Sequence, residues 1–404
     1  MTESAPIYLD YLATTPVCKE ASDSMVRLLH CQYSPEGCWG NPGSHQHVFG
    51  RQAKLALEEA RQKVAIILNC KSSEVCFESG STESINHAIR GVLKVSPSTK
   101  QHVVLSEIEH PAVMETVIDI AHTNYSLVAP NEYGVIEPSS VAKACIKGQT
   151  ALVTIMMVNN EIGSINDMAA IVKAVKDIDE DIIVHCDASQ AVGKIPVDVK
   201  AFGVDLLTVA GHKFYAPKGI GALYVKEGVS IQSLVTGAGH ETGRRAGTEN
   251  VLLAVALGEA CQAAMNQCLK NMESIRQLRE LLYDNICSGF DLGQVHRNGS
   301  PKESERLPGA LSISFAGGIR GSDIASQGGL RGVAFSAGAA CHSGHVRPSK
   351  VLKAIGMDDV SAISTIRLSI GRYTTREVRD SIHTWQLFHE LTNTCLNLGG
   401  CKSE

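Results

Sequence analysis

An α/β fold on a mainly parallel sheet, with helices on both faces, is predicted by three observations in the 404-residue sequence. Short apolar runs alternate with amphipathic helical stretches from about residue 50 onward. The apolar runs are nearly continuous rather than alternating, as strands buried on both faces require. No repeat or low-complexity segment interrupts the pattern. With 44% hydrophobic and 20% charged residues, the composition is ordinary for a globular chain long enough to bury a large core.

The elements follow in order. "GRQAKLALEEARQKVAIIL" (50–68) carries apolar residues at helical spacing. "HVVLSE" (102–107), "ALVTIMMV" (151–158), "DIIVHCD" (181–187), "VDLLTVA" (204–210) and "GIGALYV" (219–225) read as strands, with helical text such as "MAAIVKAVKDI" (168–178) between them. After "GTENVLLAVALGEACQAAM" (247–265) the texture changes. A long helical region runs to about residue 288, then a strand "ALSISFAG" (310–317), a glycine-rich loop, and the helical patterns "PSKVLKAIG" and "TREVRDSIHTWQLFHELTNTCL". A large domain is expected over 16–260. A smaller α+β domain is expected from 1–15 together with 261–404.

Several function classes are excluded at this level. A net charge of −5 with scattered basic residues gives no nucleic-acid-binding surface. The longest apolar runs are far short of a membrane span. "MTESAPIYLD" has neither a basic nor an apolar leader region, so no secretory signal is expected. Thirteen cysteines without paired close spacing do not form a disulfide framework in so long a chain, and a cytoplasmic location is the simplest expectation. The histidines of "HQH" (45–47) read as a polar loop. Cys341, His342 and His345 lack a second ligand pair, so no metal is expected.

In open parallel sheets, ligands bind beyond the carboxyl ends of the strands, so the residues after each strand carry the functional reading. "ESGSTES" (78–84) is a Gly/Ser/Thr turn opening a helix, which suits an anion. It lacks the lysine of a nucleotide P-loop. His110 follows "HVVLSE", Asn160 follows "ALVTIMMV", Asp187 ends "DIIVHCD" and Lys213 follows "VDLLTVA". Each has a plainer role open to it: Asp187 as a helix N-cap, His110 and Asn160 as loop or turn residues, Lys213 as a solvated side chain. Together an anion cradle, a carboxylate, a lysine, an imidazole and an amide suit pyridoxal phosphate. Its phosphate needs backbone N–H groups, its pyridine nitrogen a carboxylate, and its aldehyde a lysine. "FSAGAACHSGHVRPS" (335–349) adds Cys341 in a run of small residues that suits a mobile thiol.

At this point the sequence resembles the cysteine desulfurases and selenocysteine lyases, class V aminotransferases among the fold-type-I pyridoxal phosphate enzymes. The resemblance runs from "YLDYLATTP" (8–16) to "STIRLSIGRYTT" (364–375). "SGSTES", "EHPAV", "VNNEIG", "HCDASQAVGK", "GHKFYAPKGIGALYV", "GRRAGTEN" and "GAACHSG" stand in the family's order between those ends. It implies a mainly parallel seven-stranded sheet in the large domain, and a homodimer.

The resemblance also implies roles. Lys213 is the lysine that holds the cofactor, Asp187 the partner of its pyridine nitrogen, and Gln190 the contact to its phenolic oxygen. His110 stacks on the ring and Asn160 lies beside it, near the substrate. Ser81, Thr82 and His212 contact the phosphate, and Thr248 reaches the phosphate in the other subunit. Arg367 pairs with the substrate carboxylate, and Cys341 is the nucleophile that takes up sulfur. Leu12 stands where the family usually carries Asn, and Ala210 where many members place a phosphate-binding Ser. The expected activity is conversion of L-cysteine to L-alanine with a persulfide on Cys341. The sulfur would pass to an acceptor or iron–sulfur scaffold protein. The alternatives are a selenocysteine lyase, which "GAACHS" resembles, and a pyridoxal phosphate-binding protein without catalysis.

Overall fold

The structure, a computed structural model, describes residues 6–31, 38–120, 124–338, 340–342 and 345–374. Side chains are described at all of these except residues 268, 269, 340–342, 345 and 346. The chain begins with β1 (Ile7–Tyr8), α1 (Lys19–His30) and α2 (Val48–Leu68). It then alternates through β2 (Val75–Glu78), α3 (Ser81–Val95), β3 (His102–Ser106), α4 (Pro111–Asp119), β4 (Tyr125–Val128) and α5 (Pro138–Ala144). The alternation continues through β5 (Thr150–Met156), α6 (Met168–Lys176), β6 (Ile183–Asp187), α7 (Val199–Phe202), β7 (Leu206–Ala210) and β8 (Gly221–Val225).

Seven of these strands form one sheet in the order β2-β8-β7-β6-β5-β3-β4. Neighbours from β7 to β4 pair in parallel, while β8 is antiparallel to both β7 and β2. The connection from β7 to β8 is too short for a crossover helix, which leaves the reversed direction. Every residue of β3, β5 and β7 is buried, as their continuous apolar runs require. Helix starts follow local chemistry. Asp167 accepts from Ala170 N at 3.0 Å to open α6, and Asp198 accepts from Lys200 N and Ala201 N at 2.9 Å to open α7.

α8 (Val251–Cys287) is one helix of 37 residues. It packs against α1 and α2 on the flank of the large core. Gly258 permits the close crossing, because a Cβ there would lie 2.9 Å from Ala60 Cα. The chain continues through β9 (Val295–Arg297), β10 (Ala310–Phe315), α9 (Gly321–Leu330), β11 (Val333–Ala334) and β12 (Ser336–Ala337). It ends through β13 (Ala340–His342), β14 (His345–Arg347), α10 (Lys350–Ala354), α11 (Asp359–Ile363) and β15 (Thr365–Ser369).

A second sheet has the order β12-β15-β10-β9, and β13 and β14 form a hairpin in which Cys341 pairs with Val346. Leu9, Leu311, Ile313, Ile324, Ile366 and Leu368 fill a separate core under that sheet. Each such fully buried aliphatic side chain stabilises by about 1.5–3 kcal/mol. The N-terminal segment belongs to this half: β1 pairs in parallel with β11, and Leu12 N donates to Ser369 Oγ at 2.9 Å. Among the described residues no helix is long and apolar enough to cross a membrane. The helical pattern from residue 375 onward lies outside the described residues.

Candidate active site

β2, β3, β5, β6 and β7 point the same way, so their carboxyl ends share one edge of the sheet. The turn after β2 leads into α3, whose N-cap Gly80 contributes no side-chain cap. Glu83 Oε2 accepts from Ser79 N at 2.7 Å just ahead of the helix, whose first N–H groups are of the kind that receive an anion. This turn lies directly on β8: a Cβ at Gly221 would fall 2.9 Å from Gly80 Cα. Any side chain at 221 would displace the turn.

After β3, His110 caps α4, its Nδ1 accepting from Ala112 N at 3.0 Å. An accepting Nδ1 places the proton of the neutral ring on Nε2. After β5, Asn159 holds the turn, its Oδ1 accepting from Glu161 N at 2.9 Å and Ile162 N at 3.0 Å. At the end of β6, Asp187 accepts from Ser189 N at 3.0 Å and from Ser189 Oγ at 2.5 Å. Both bonds fall on Oδ1. After β7, a single turn (Gly211–Lys213) delivers Lys213, whose Nζ donates to Leu12 O and Ala13 O, each at 2.8 Å.

These ends enclose a cleft of about 630 Å³. Ser81, His110, Asn160, Asp187, Gln190, Lys213 and Arg367 all line it. Arg367 enters from β15, its Nη1 donating to Asn160 O at 2.8 Å and its Nη2 to Asp10 Oδ1 and Ser336 Oγ at 3.0 Å. Its Nε is buried without a hydrogen-bond partner among the described residues.

Burial is the main influence on Lys213. With the Arg367 charge it pushes the amine down to about 8, against the pull of Asp10 and Asp187. An amine in that range exchanges its proton near neutrality. His110 is exposed by area, yet the protein packed around the cleft is the largest influence and pushes its ring down. Asp187 opposes that fall and Lys213 adds to it.

Thr82 and Thr248 are exposed, and neither they nor His212 line the cleft. His212 lies 3.0 Å from Thr14 Oγ1 through Nδ1, which ties the N-terminal segment to the lysine turn. Thr248 borders another hollow, with Ser79, Gly219 and Arg245. The side chains of Cys341, His342 and His345 lie outside those described. Both ends of their loop are nonetheless tied to residues around the cleft. Ser336 bonds Arg367 on one side, and Ser349 Oγ donates to Glu161 Oε2 at 2.5 Å on the other. Leu12, one of the two departures from the family pattern, has its side chain buried in the core and serves the site through its carbonyl.

The sequence reading passed over several residues. Glu109, 7% exposed, accepts from Ser106 Oγ at 2.6 Å and Met156 N at 2.9 Å. Burial pushes its carboxyl up to about 8. Behind Asp187, His185 joins Thr154 Oγ1 at 2.8 Å to Thr208 Oγ1 at 2.9 Å, and Thr208 meets Ser84 Oγ at 2.8 Å. That chain binds α3 to three strands. Its only sequence signal was a histidine and two threonines inside apolar strands. Away from the cleft, His47 caps α2, as a polar loop implies. Cys76, Glu78 and His87 form a buried group of metal-ligating types, in which His87 Nδ1 lies 2.8 Å from Glu78 Oε1.

A seven-stranded sheet with a lysine, a carboxylate and an anion-ready helix start at its carboxyl edge defines a fold-type-I pyridoxal phosphate enzyme. Residues 7–380 match the aminotransferase class-V family, and the chain belongs to it. Within that family its relatives are cysteine desulfurases. It is 39% identical over 387 residues to cysteine desulfurase IscS of Glaesserella parasuis serovar 5, covering 95% of this chain and 91% of that protein. It is 40% identical over 379 residues to cysteine desulfurase IscS of Cronobacter sakazakii, covering 93% and 90%. Among solved structures, a NifS-like protein superposes with a TM-score of 0.86 at 31% identity, over 96% of this chain and all of that one. A NifS-like protein from Rickettsia africae gives 0.82 at 26% identity, over 97% and 99%.

The residues present fit pyridoxal phosphate. Lys213 would hold its aldehyde carbon, Asp187 its pyridine nitrogen, and the start of α3 its phosphate. A buried amine near 8 and an Asp187 oxygen outside the Ser189 bonds are the chemistry such a ligand needs.

Proposed function

We propose that the protein is a cysteine desulfurase in which Cys341 takes up sulfur from L-cysteine. The observation that carries this is the tethering of the Cys341 loop, at Ser336 and Ser349, to residues around the Lys213 cleft. The relatives bear the desulfurase name, so selenocysteine lyase is not favoured.

Arg367 holds the substrate carboxylate, with Nε as a donor awaiting an acceptor. Lys213 removes the Cα proton and later returns a proton to carbon, which an amine near 8 can do in both directions. With pyridoxal phosphate bound, Asp187 would keep a proton on its pyridine nitrogen and Gln190 would donate to its ring oxygen. When bound, pyridoxal phosphate supplies the electron sink for charge left at Cα. The Cys341 thiolate bonds to the substrate sulfur as the carbon–sulfur bond breaks. The sum is cysteine plus a thiol giving alanine plus a persulfide, with no external oxidant or reductant. His110, with its proton on Nε2, stands at the cleft to shield or assist the thiol.

Further parts of the reading are a large domain over 16–260, a small one over 1–15 with 261–404, and a homodimer. α8 passes unbroken through residue 260 and would link the two domains. Exposure of Thr248 outside its own cleft suits a residue lent to a second subunit. A sulfur acceptor, such as an iron–sulfur scaffold protein, would take the product sulfur. Free thiols at Cys18, Cys76, Cys186 and Cys261 suit the reducing cytosol.

Incubation with L-cysteine followed by mass spectrometry tests the proposal. The Cys341 peptide gains one sulfur, and Cys341→Ala forms no alanine. Sulfur on a different cysteine, or a wild-type rate in Cys341→Ala, ends the assignment.

A further inference from the structure

Gln190 is 4% exposed and lines the cleft, and two partners hold its amide from behind. Its Nε2 donates to Leu12 O at 2.9 Å, and its Oε1 accepts from Lys194 Nζ at 2.5 Å. A main-chain carbonyl can only accept, so the nitrogen must face Leu12 and the oxygen must face the lysine. Leu12 O engages one of the two amide protons, which leaves the other for the cleft.

Lys194 is placed at a disadvantage to do this. It is half-buried and lines a second cavity of about 680 Å³, whose other walls include Leu12, Tyr215, Met272 and Ile370. It makes no ion pair among the described residues, and Gln190 Oε1 is its hydrogen-bond partner. Burial above all, then the charges of Lys213 and Arg367, pushes its amine well below the ordinary lysine range. A methionine would fill the same apolar wall without that penalty. What it would lose is the bond to Gln190.

We propose that Lys194 is a positioning residue that locks the Gln190 amide with an N–H toward the cleft, so that an acceptor oxygen on the bound ligand meets a donor. The proposal rests on the reading of the cleft as a pyridoxal phosphate site, with Gln190 facing the ring oxygen. A donor at that oxygen stabilises it as an anion and makes the neighbouring proton easier to remove. Without the lysine the amide is held by the Leu12 bond alone, turns away from that orientation more readily, and gives up part of that effect.

The test is a pH titration of the visible absorption band of the purified holoenzyme, made alongside its affinity for pyridoxal phosphate. Lys194→Met moves the midpoint up by about one pH unit, tenfold in proton affinity, as loss of a hydrogen bond to a charged group implies. Lys194→Gln removes the charge but keeps a donor to Gln190 Oε1, and titrates as wild type. In a Gln190→Ala background, Lys194→Met adds nothing, because its route is gone. Equal shifts in Lys194→Met and Lys194→Gln overturn the proposal in favour of simple charge. An additive shift in the double variant, or no shift in Lys194→Met, overturns it as well. If Lys194→Met does not fold, Lys194→Ala, which also removes the donor, decides the matter: a raised midpoint beside a wild-type midpoint in Lys194→Gln supports the proposal, and a wild-type midpoint in Lys194→Ala ends it. A wild type without a visible band, and without borohydride-trapped cofactor on Lys213, would instead defeat the reading of the cleft itself.

Discussion

Arg367 Nη2 and Asp10 Oδ1 lie 3.0 Å apart, a pair that joins the N-terminal segment to β15 at the wall of the cleft. Their side chains are 13% and 18% exposed, so the pair is shielded but still wet at one edge. Asp10 and Asn160 O hold the two terminal nitrogens, which fixes the guanidinium and leaves Nε buried and without a hydrogen-bond partner among the described residues. A substrate carboxylate would therefore meet a preorganised partner.

Arg367→Gln is expected to raise KM for L-cysteine about 30-fold, the effect of losing about 2 kcal/mol of charge-assisted bonding. Turnover of cysteamine, which lacks the carboxylate, should change little. An unaltered KM for cysteine would show that Arg367 supports the fold and not the substrate.

Lys213 titrates at about 8 because burial and Arg367 outweigh Asp10 and Asp187. Only the unprotonated amine attacks an aldehyde. The rate at which apoprotein captures pyridoxal phosphate should rise about tenfold per pH unit below 8 and level off above it. Asp10 raises this amine, so Asp10→Asn should move the plateau to lower pH. Borohydride should then fix the cofactor to Lys213. Capture at the same rate in Lys213→Ala, or trapping on Lys194 or Lys218, contradicts the assignment.

The strands that carry the chemistry were legible because they are central. β3, β5, β6 and β7 are buried or nearly so along their whole length, and the sequence shows each as an apolar run ending at, or a few residues before, the residue that matters. β2 and β4 escaped. Each has four residues, and β4 is an edge strand with Tyr125 and Leu127 exposed, so neither shows a full apolar run. The reversed direction of β8 was equally hidden, since an apolar run does not state which way it points. At the site, side chains at strand ends could be read in order. The carbonyls of Leu12, Ala13 and Asn160 could not, because a backbone acceptor leaves no mark on residue identity. Long-range partners such as Asp10 for Arg367 depend on how the N-terminal segment threads the second sheet.

Glu109 makes a prediction about stability and pH. Burial raises its carboxyl to about 8 in the folded protein, against an ordinary value near 4.5 when unfolded. Between those values the folded state holds a proton that the unfolded state has released. The contribution is therefore complete below about 4.5 and is lost as pH rises through about 8, by up to about 1.4 kcal/mol per pH unit. Glu109→Gln, which cannot ionise, should flatten the stability of the apoprotein against pH across this window in denaturant titrations. It should also make the protein more stable than wild type at pH 8. Identical pH profiles for the two proteins would place the Glu109 proton elsewhere.

Ser349 closes the loop that carries Cys341, and it is held from two sides. Its Oγ accepts from Val351 N at 3.1 Å and Leu352 N at 3.3 Å to cap α10, and donates to Glu161 Oε2 at 2.5 Å beside the Asn160 turn. The chain that leaves β14 thus reaches a fixed point beside the Asn160 turn. Ser349→Ala removes the cap and the tether together, a loss of about 1 kcal/mol. If the tether sets how often the thiol reaches the substrate, persulfide formation on Cys341 in a single turnover should slow about fivefold. The visible band of the bound cofactor should not change, because Ser349 touches none of the residues that would hold it. Glu161→Gln keeps an acceptor for the serine and should lie near wild type. A Ser349→Ala enzyme that forms persulfide at the wild-type rate would show that the loop needs no anchor. One that loses its cofactor band would place the defect in the cleft rather than in the reach of Cys341.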